Sequence, residues 1–273
     1  MLLIKNLKKK KNSLFKNLMR KQIAMAGSLL VNGLRSLFLV LCCLMVATLI
    51  YSISIDGLPF RMELLTPWMA ATLVDFCINI VPFAVWIFYK ESSWISATLW
   101  VILLICFGSV ITSGYLFMQF LKLSPQESLQ DPIYHVLLHD TNEDDTKPKG
   151  KHSPIVIART LFSVLGCLML GTLIYTLLTD GSPFRKELLT PWMTATLIDF
   201  YINVVALSVW VAYKESNWIS AFFWIILLVW FGSVTTCAYI VKELLQLTSQ
   251  DPLYLVLVTH DNRAENRYEG ASW

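Results

Sequence analysis

Six stretches of this chain are too apolar and too long for the core of a small soluble domain. Ser92–Leu121 runs for 30 residues without an Asp, Glu, Lys or Arg. Ser36–Ile55 does so for 20 residues, and Thr66–Tyr89 for 24 with Asp75 as the single exception. Thr160–Thr179, Thr190–Tyr213 with Asp199, and Ser216–Val241 repeat the pattern. A helix needs about 20 apolar residues to cross the hydrocarbon core of a bilayer. Lipid offers no partner to backbone polar groups, so spanning segments are helices or closed barrels. A barrel would read as segments of about ten alternating residues, which is not the pattern here. The expected fold class is therefore an all-α membrane protein with six transmembrane helices, and the lipid bilayer is its first partner. Composition agrees, with 56% hydrophobic and 15% charged residues against roughly 25% charged in soluble domains. A net charge of +3 does not suggest a nucleic-acid partner.

The six runs are two copies of one three-run unit. Residues 56–124 align with 180–248 at a constant shift of 124, with 42 of 69 positions identical. DGLPFRMELLTPWMAATLVDF returns as DGSPFRKELLTPWMTATLIDF, YKESSWISA as YKESNWISA, and FGSVIT as FGSVTT. Such self-similarity is the mark of a duplication. It divides the chain into a basic leader (1–34), repeat one (35–123), a polar linker (124–154), repeat two (155–248) and a polar tail (249–273). Thr66-Pro67 and Thr190-Pro191 have the form of an N-cap followed by proline at the first helical position. Trp68, Trp94, Trp192 and Trp218 stand at run starts, where an aromatic belt belongs.

Three spans per unit is an odd number. The second unit is then expected to insert upside down, giving two inverted three-helix repeats of the kind found in transporters. Under that topology Lys and Arg divide 15 to 7 in favour of the side holding the N-terminus. The positive-inside rule places both termini in the cytosol, in an endomembrane or the plasma membrane rather than an organelle. Inversion also predicts cross-repeat ion pairs, Arg61 with Glu215 and Arg185 with Glu91, with a local Arg61–Glu63 pair as the alternative.

The middle run of each unit holds the only charge within the spans. Trp68, Thr72, Asp75, Asn79, Pro82 and Trp86 follow one another at steps of four and three, which lines up one helix face. Trp192, Thr196, Asp199, Asn203, Ala206 and Trp210 do the same in the second copy. A carboxylate at mid-membrane depth costs roughly 2.5–3.5 kcal/mol on insertion scales, so both aspartates are expected to face the bundle interior. Thr72, Asp75, Asn79, Thr196, Asp199 and Asn203 form the candidate intramembrane polar site. One reading is a proton or cation relay or a polar ligand contact. The other is a neutral Asp that glues helices through Asn or Thr. Gly108 with Thr112, and Gly232 with Thr236, read as small residues permitting close helix contact.

All six cysteines lie in apolar runs, and a thiol there is usually a small apolar filler. His135, His139, His152 and His260 lie in or beside polar stretches. Neither set suggests a disulfide framework or a metal site, and no cofactor is expected. No P-loop, dinucleotide fingerprint, nucleophile elbow or zinc-protease motif is present, so the chain reads as a non-enzyme.

The TPWxxATLxDFxIN segment, with the following YKESxWISA, resembles a plant family of uncharacterised multi-pass membrane proteins known as a domain of unknown function in two tandem copies. The resemblance covers nearly the whole chain after residue 34. It implies a plant source and a multi-pass membrane protein, and it supplies no activity, ligand or catalytic residue. Two functions fit the residues: a small solute or proton-coupled transporter or channel, and a non-catalytic membrane scaffold whose Asp and Asn only pack helices. A third, an intramembrane lipid enzyme, lacks a catalytic cluster. Ligand and oligomeric state are left open.

Overall fold

The computed structural model describes residues 2–59, 61–138, 154–183, 185–248, 251–259 and 263, with side chains of the first helix described from Met25 on. Every regular element among the described residues is helical. Helix α1 (Leu2–Asp56) and α2 (Pro67–Lys90) open repeat one, and α7 (Pro154–Asp180) and α8 (Pro191–Lys214) open repeat two. Among the described residues four helices are long and apolar enough to cross a membrane: Met25–Asp56 within α1, α2, α7 and α8. The expected caps form, since Thr66 Oγ1 accepts from Met69 N and Thr190 Oγ1 from Met193 N, each at 3.2 Å.

The third apolar run of each repeat departs from expectation. It is two helices of 14 and 14 residues in repeat one, α3 (Trp94–Phe107) and α4 (Ser109–Lys122). In repeat two it is α9 (Trp218–Phe231) and α10 (Ser233–Leu245). Between the halves sit Gly108 at φ +55° and Gly232 at φ +50°. The halves fold back on each other at these glycines. Glu91, just before α3, accepts a hydrogen bond from Tyr115 Oη of α4 at 2.8 Å. In a continuous helix those residues would lie about 36 Å apart at 1.5 Å per residue. Trp100 packs on Tyr115 with ring centroids 5.1 Å apart, and Trp224 on Tyr239 at the same distance. Tyr239 Oη likewise donates to Glu215 Oε1 at 3.0 Å.

This correction overturns the inverted arrangement. A folded-back hairpin begins and ends at the same end of the bundle, so the second repeat starts from the same end as the first. Side-chain contacts agree. Trp68 Nε1, at the start of α2, donates to Gly181 O just after α7 at 3.2 Å. Trp192 Nε1, at the start of α8, donates to Gly57 O just after α1 at 3.1 Å. Trp68, Met69 and Ala71 form one buried cluster with Trp192, Met193 and Ala195. Both turns therefore share one end of the molecule, and the repeats are parallel.

At the opposite end the guanidinium of Arg35 donates to Phe120 O at 3.0 and 2.6 Å, and that of Arg159 to Leu244 O at 3.1 and 2.8 Å. The start of each first apolar run is thus tied to the end of its own hairpin. The first part of the linker forms two short helices, α5 (Glu127–Gln130) and α6 (Pro132–Leu137). It is fastened by Trp86 Nε1 donating to Leu137 O at 3.1 Å and by Tyr213 Oη donating to Asp131 Oδ2 at 3.0 Å. The rest of the linker, including His139, Asn142–Lys149 and His152, lies outside the described residues, as do His260 and most of the tail.

The expected ion pairs Arg61–Glu215 and Arg185–Glu91 do not form. Arg61 pairs with Asp56, and Arg185 with Asp180 at 2.6 Å, so Glu63 is not the partner either. Parallel packing puts both arginines at the Trp68/Trp192 end and both glutamates at the far end. Closing a five-residue loop onto the preceding helix end also costs little chain entropy.

Candidate functional site

The middle helix of each repeat packs against the hairpin of the other: α2 touches α10, and α8 touches α4. At each crossing an aspartate meets the tip of a broken helix. Asp75 Oδ1 accepts from Ser233 N at 2.8 Å and Ser233 Oγ at 2.6 Å. Asp199 Oδ1 accepts from Ser109 N at 2.7 Å. Each carboxylate thus caps, from 158 and 90 residues away respectively, the first amide of the other repeat's second half-helix. The first turn of a helix leaves amides unsatisfied, and the dipole end there is positive. A carboxylate supplies both an acceptor and a negative charge, which explains how an aspartate is tolerated in an apolar bundle.

The glycines make the approach possible. A Cβ on Gly108 would lie 2.4 Å from Asp199 Oδ1, and one on Gly232 would lie 2.5 Å from Phe200 Cε2 and 2.7 Å from Asp75 Oδ1. Positive φ already disfavours any other residue. The glycine's roles are thus to turn the chain and to admit the carboxylate.

Asn79 and Asn203 bind their own aspartates one turn away. Asn79 Nδ2 donates to Asp75 Oδ2 at 2.8 Å, and Asn203 Nδ2 to Asp199 Oδ2 at 3.2 Å. Beyond this the two halves differ. In one, Thr236 Oγ1 donates to Asn79 Oδ1 at 3.1 Å. In the other, Thr112 Oγ1 and Asn203 Oδ1 are both buried without a hydrogen-bond partner among the described residues, and so is Ser109 Oγ. Thr72 and Thr196 donate to their own backbone, to Met69 O and Met193 O at 2.9 Å each, not to the aspartates.

All six residues of the expected polar site line a single cavity of about 170 Å³ between the repeats. Phe76 and Phe200 close it from the two middle helices, and Met45 and Leu49 from α1. That volume has room for several water molecules, and the polar partners buried water requires come from these six residues in a mostly apolar lining. Asp75, Asn79, Asp199 and Asn203 are each at most 7% exposed, so the carboxylates face the interior, as lipid avoidance demands. Among the described residues no group of three or more His, Cys, Asp or Glu is placed to hold a metal ion.

Sequence reasoning missed Ser109, Ser233 and the role of Gly108 and Gly232. A signal was available: at 1.5 Å per residue a 30-residue run measures about 45 Å, half as long again as the hydrocarbon core. FGSV at its middle is retained intact in both copies.

No curated protein and no solved structure matches this chain. One family model matches it twice in tandem, over residues 12–144 and 143–264. The chain belongs to that family, described as proteins of unknown function (DUF1475).

Proposed function

We propose that this chain is a small multi-pass transporter or channel in which Asp75 and Asp199 carry a proton or small cation through the space between the repeats. The observation behind this reading is the shared cavity: two carboxylates, two asparagines and two threonines, contributed equally by both repeats, gather on one void whose remaining lining is apolar. Broken helices whose ends meet at mid-membrane are a recurrent way to build an ion or solute site. The alternative, a non-catalytic scaffold, is favoured by the saturated cap at Ser233, which glues helices whatever else the site does. It gives no reason for the cavity or for the unpartnered groups beside it. No catalytic residue is assigned in either reading.

The same reading sets four crossing helices and two hairpins that dip in from one side and return. Three of the 22 Lys and Arg, namely Arg61, Arg185 and Lys186, then lie at the end holding the two short turns. The other 19 lie in segments that leave from the opposite end, with the N-terminus, the linker and the C-terminal tail. The positive-inside rule assigns that end to the cytosol. A plant source, implied by the motif resemblance, belongs to the same reading.

Sided proteoliposomes test both parts. Tags at the N-terminus, at residue 145 and at the C-terminus should all be reached from one face. A proton or cation flux should be lost in Asp75→Asn plus Asp199→Asn with the fold retained. Full flux in the folded double variant excludes the relay, and a linker tag on the face opposite the termini excludes the topology.

A further inference from the structure

The twin caps are related by duplication, yet one is saturated and the other is not. At the Asp75 cap, Ser233 donates both its amide and its hydroxyl to the carboxylate, and Thr236 closes onto Asn79 at 3.1 Å. In the Asp199 cap, among the described residues, Ser109 Oγ faces the carboxylate without a hydrogen bond of normal geometry, and Thr112 Oγ1 and Asn203 Oδ1 are buried without a partner. Their residues are 0%, 3% and 5% exposed. Asn203 and Asp199 line the cavity, together with the Gly108 hinge. A buried polar atom left unpaired costs about as much as a lost hydrogen bond. Two of them beside one carboxylate, at a cap whose twin pairs the same atoms, mark a place for something else to bind.

We propose that the Asp199 cap is a binding site for one alkali cation of sodium class, and that the Asp75 cap is its closed structural counterpart. The donors decide the class. They are all oxygens: the Asp199 carboxylate, the Asn203 carbonyl, and the Thr112 and Ser109 hydroxyls. Oxygen donors suit hard cations, while the softer transition metals favour imidazole or thiolate. Calcium takes six to eight oxygens, often several carboxylates, and one carboxylate matches a single positive charge. Asn203 holds its amide on Asp199 O at 3.1 Å and on Asp199 Oδ2 at 3.2 Å, which turns its carbonyl oxygen away from that contact and leaves it free for the ion. The inference rests on the relay reading above and narrows it, giving the ion to Asp199 and leaving Asp75 to hold the helices.

Full-length protein in detergent, melted in sodium, potassium or choline chloride at constant ionic strength, tests the assignment. Sodium should raise the melting temperature saturably, and choline should not. Thr112→Val should match the wild type in choline, because it removes a hydroxyl that has no partner, and should weaken the sodium response at least tenfold in concentration. Thr236→Val should lower the melting temperature in every salt and keep the sodium response. An equal response to all three salts overturns the proposal and leaves a water-filled cap. A sodium response lost with Thr236→Val and kept with Thr112→Val assigns the ion to the wrong half. If sodium binds as described while vesicles show no flux, the site stands and the transport reading falls. If flux needs Asp199 while no salt discriminates, a proton relay stands and the sodium site falls.

Discussion

The Ser233 tip and the Ser109 tip are copies of one motif that have ended in different states. Both turn at a positive-φ glycine, both present a serine amide, and both receive an aspartate from the opposite repeat. Only at Ser233 are the serine hydroxyl and the threonine four residues before Ile240 drawn into the network. The asymmetry extends to the far end of α10. Glu243 there is fully buried against Lys214 at 3.2 Å and Arg263 at 2.6 Å, where repeat one has Gln119. The hairpin tip of repeat two is the better-bonded one and that of repeat one the more open. Duplication supplies two equal frames, and a saturated frame can bear structure while its copy keeps free valences for a ligand.

The harshest way to break the comparison is at the hinges. Gly232→Ala and Gly108→Ala each place a side chain at a conformation only glycine tolerates, a cost of about 1–3 kcal/mol. Overpacking adds about 1–3 kcal/mol more. Gly232→Ala should be the worse, because its Cβ meets the Phe200 ring edge at 2.5 Å, where that of Gly108 stands 3.1 Å from the Phe76 ring, and because the carboxylate it meets is fully bonded. Asp199 has fewer bonds to hold it in place and can give way. Denaturant unfolding in detergent should rank them in that order, and an equal loss would argue that the two tips are equally rigid.

A smaller contrast lies in the caps themselves. Asp75→Ala removes three accepted hydrogen bonds from Ser233 and Asn79, whereas Asp199→Ala removes the Ser109 amide bond and a longer Asn203 bond. The difference of one bond is worth about 1 kcal/mol, so Asp75→Ala should be the less stable by that margin in sodium-free buffer. The reverse order would mean that the saturated half is not the structural one.

The gentlest test is acid. Glu215 and Glu91 lie outside the crossing helices, and burial pushes both carboxyls up. For Glu215 the Lys242 ammonium and the Ser220 and Tyr239 hydroxyls outweigh burial, and for Glu91 Ser96, Tyr115, Lys122 and Lys90 do the same. Both therefore stay below the usual glutamate value of 4.5. A depressed folded value stabilises above the unfolded value, and that contribution is lost as pH falls through the folded one. Acid loosening should thus be confined below pH 4.5. Lys242→Met, which imports the repeat-one residue Met118, should move the Glu215 step upward and leave the Glu91 step in place. Fluorescence of Trp224, whose ring lies 5.4 Å from Lys242 Nζ, reports the first, and an unshifted profile would show that Lys242 is not what holds Glu215 down.

The duplication, the apolar runs, the Thr-Pro caps and the six polar residues of the cavity were all legible without a structure. Each is a local property: identity at a fixed shift, hydropathy along a window, or a stripe at steps of four and three that a single helix must present together. Direction was not legible. A hydropathy run counts apolar residues and carries no sign, so Ser92–Leu121 reads the same whether it crosses or turns back. Gly108 looks like a small packing residue until Asp199, 91 positions on, is seen to occupy the space a Cβ would take. The parity of the repeats hangs on that turn, and so did the misassigned arginine–glutamate pairs. What composition and periodicity determined about this chain is that two copies of a helical unit bury paired aspartates in an apolar bundle. Only the tertiary structure decided that each aspartate caps the other copy's broken helix, because a free helix end at mid-bundle is stable only when a distant residue arrives to satisfy it.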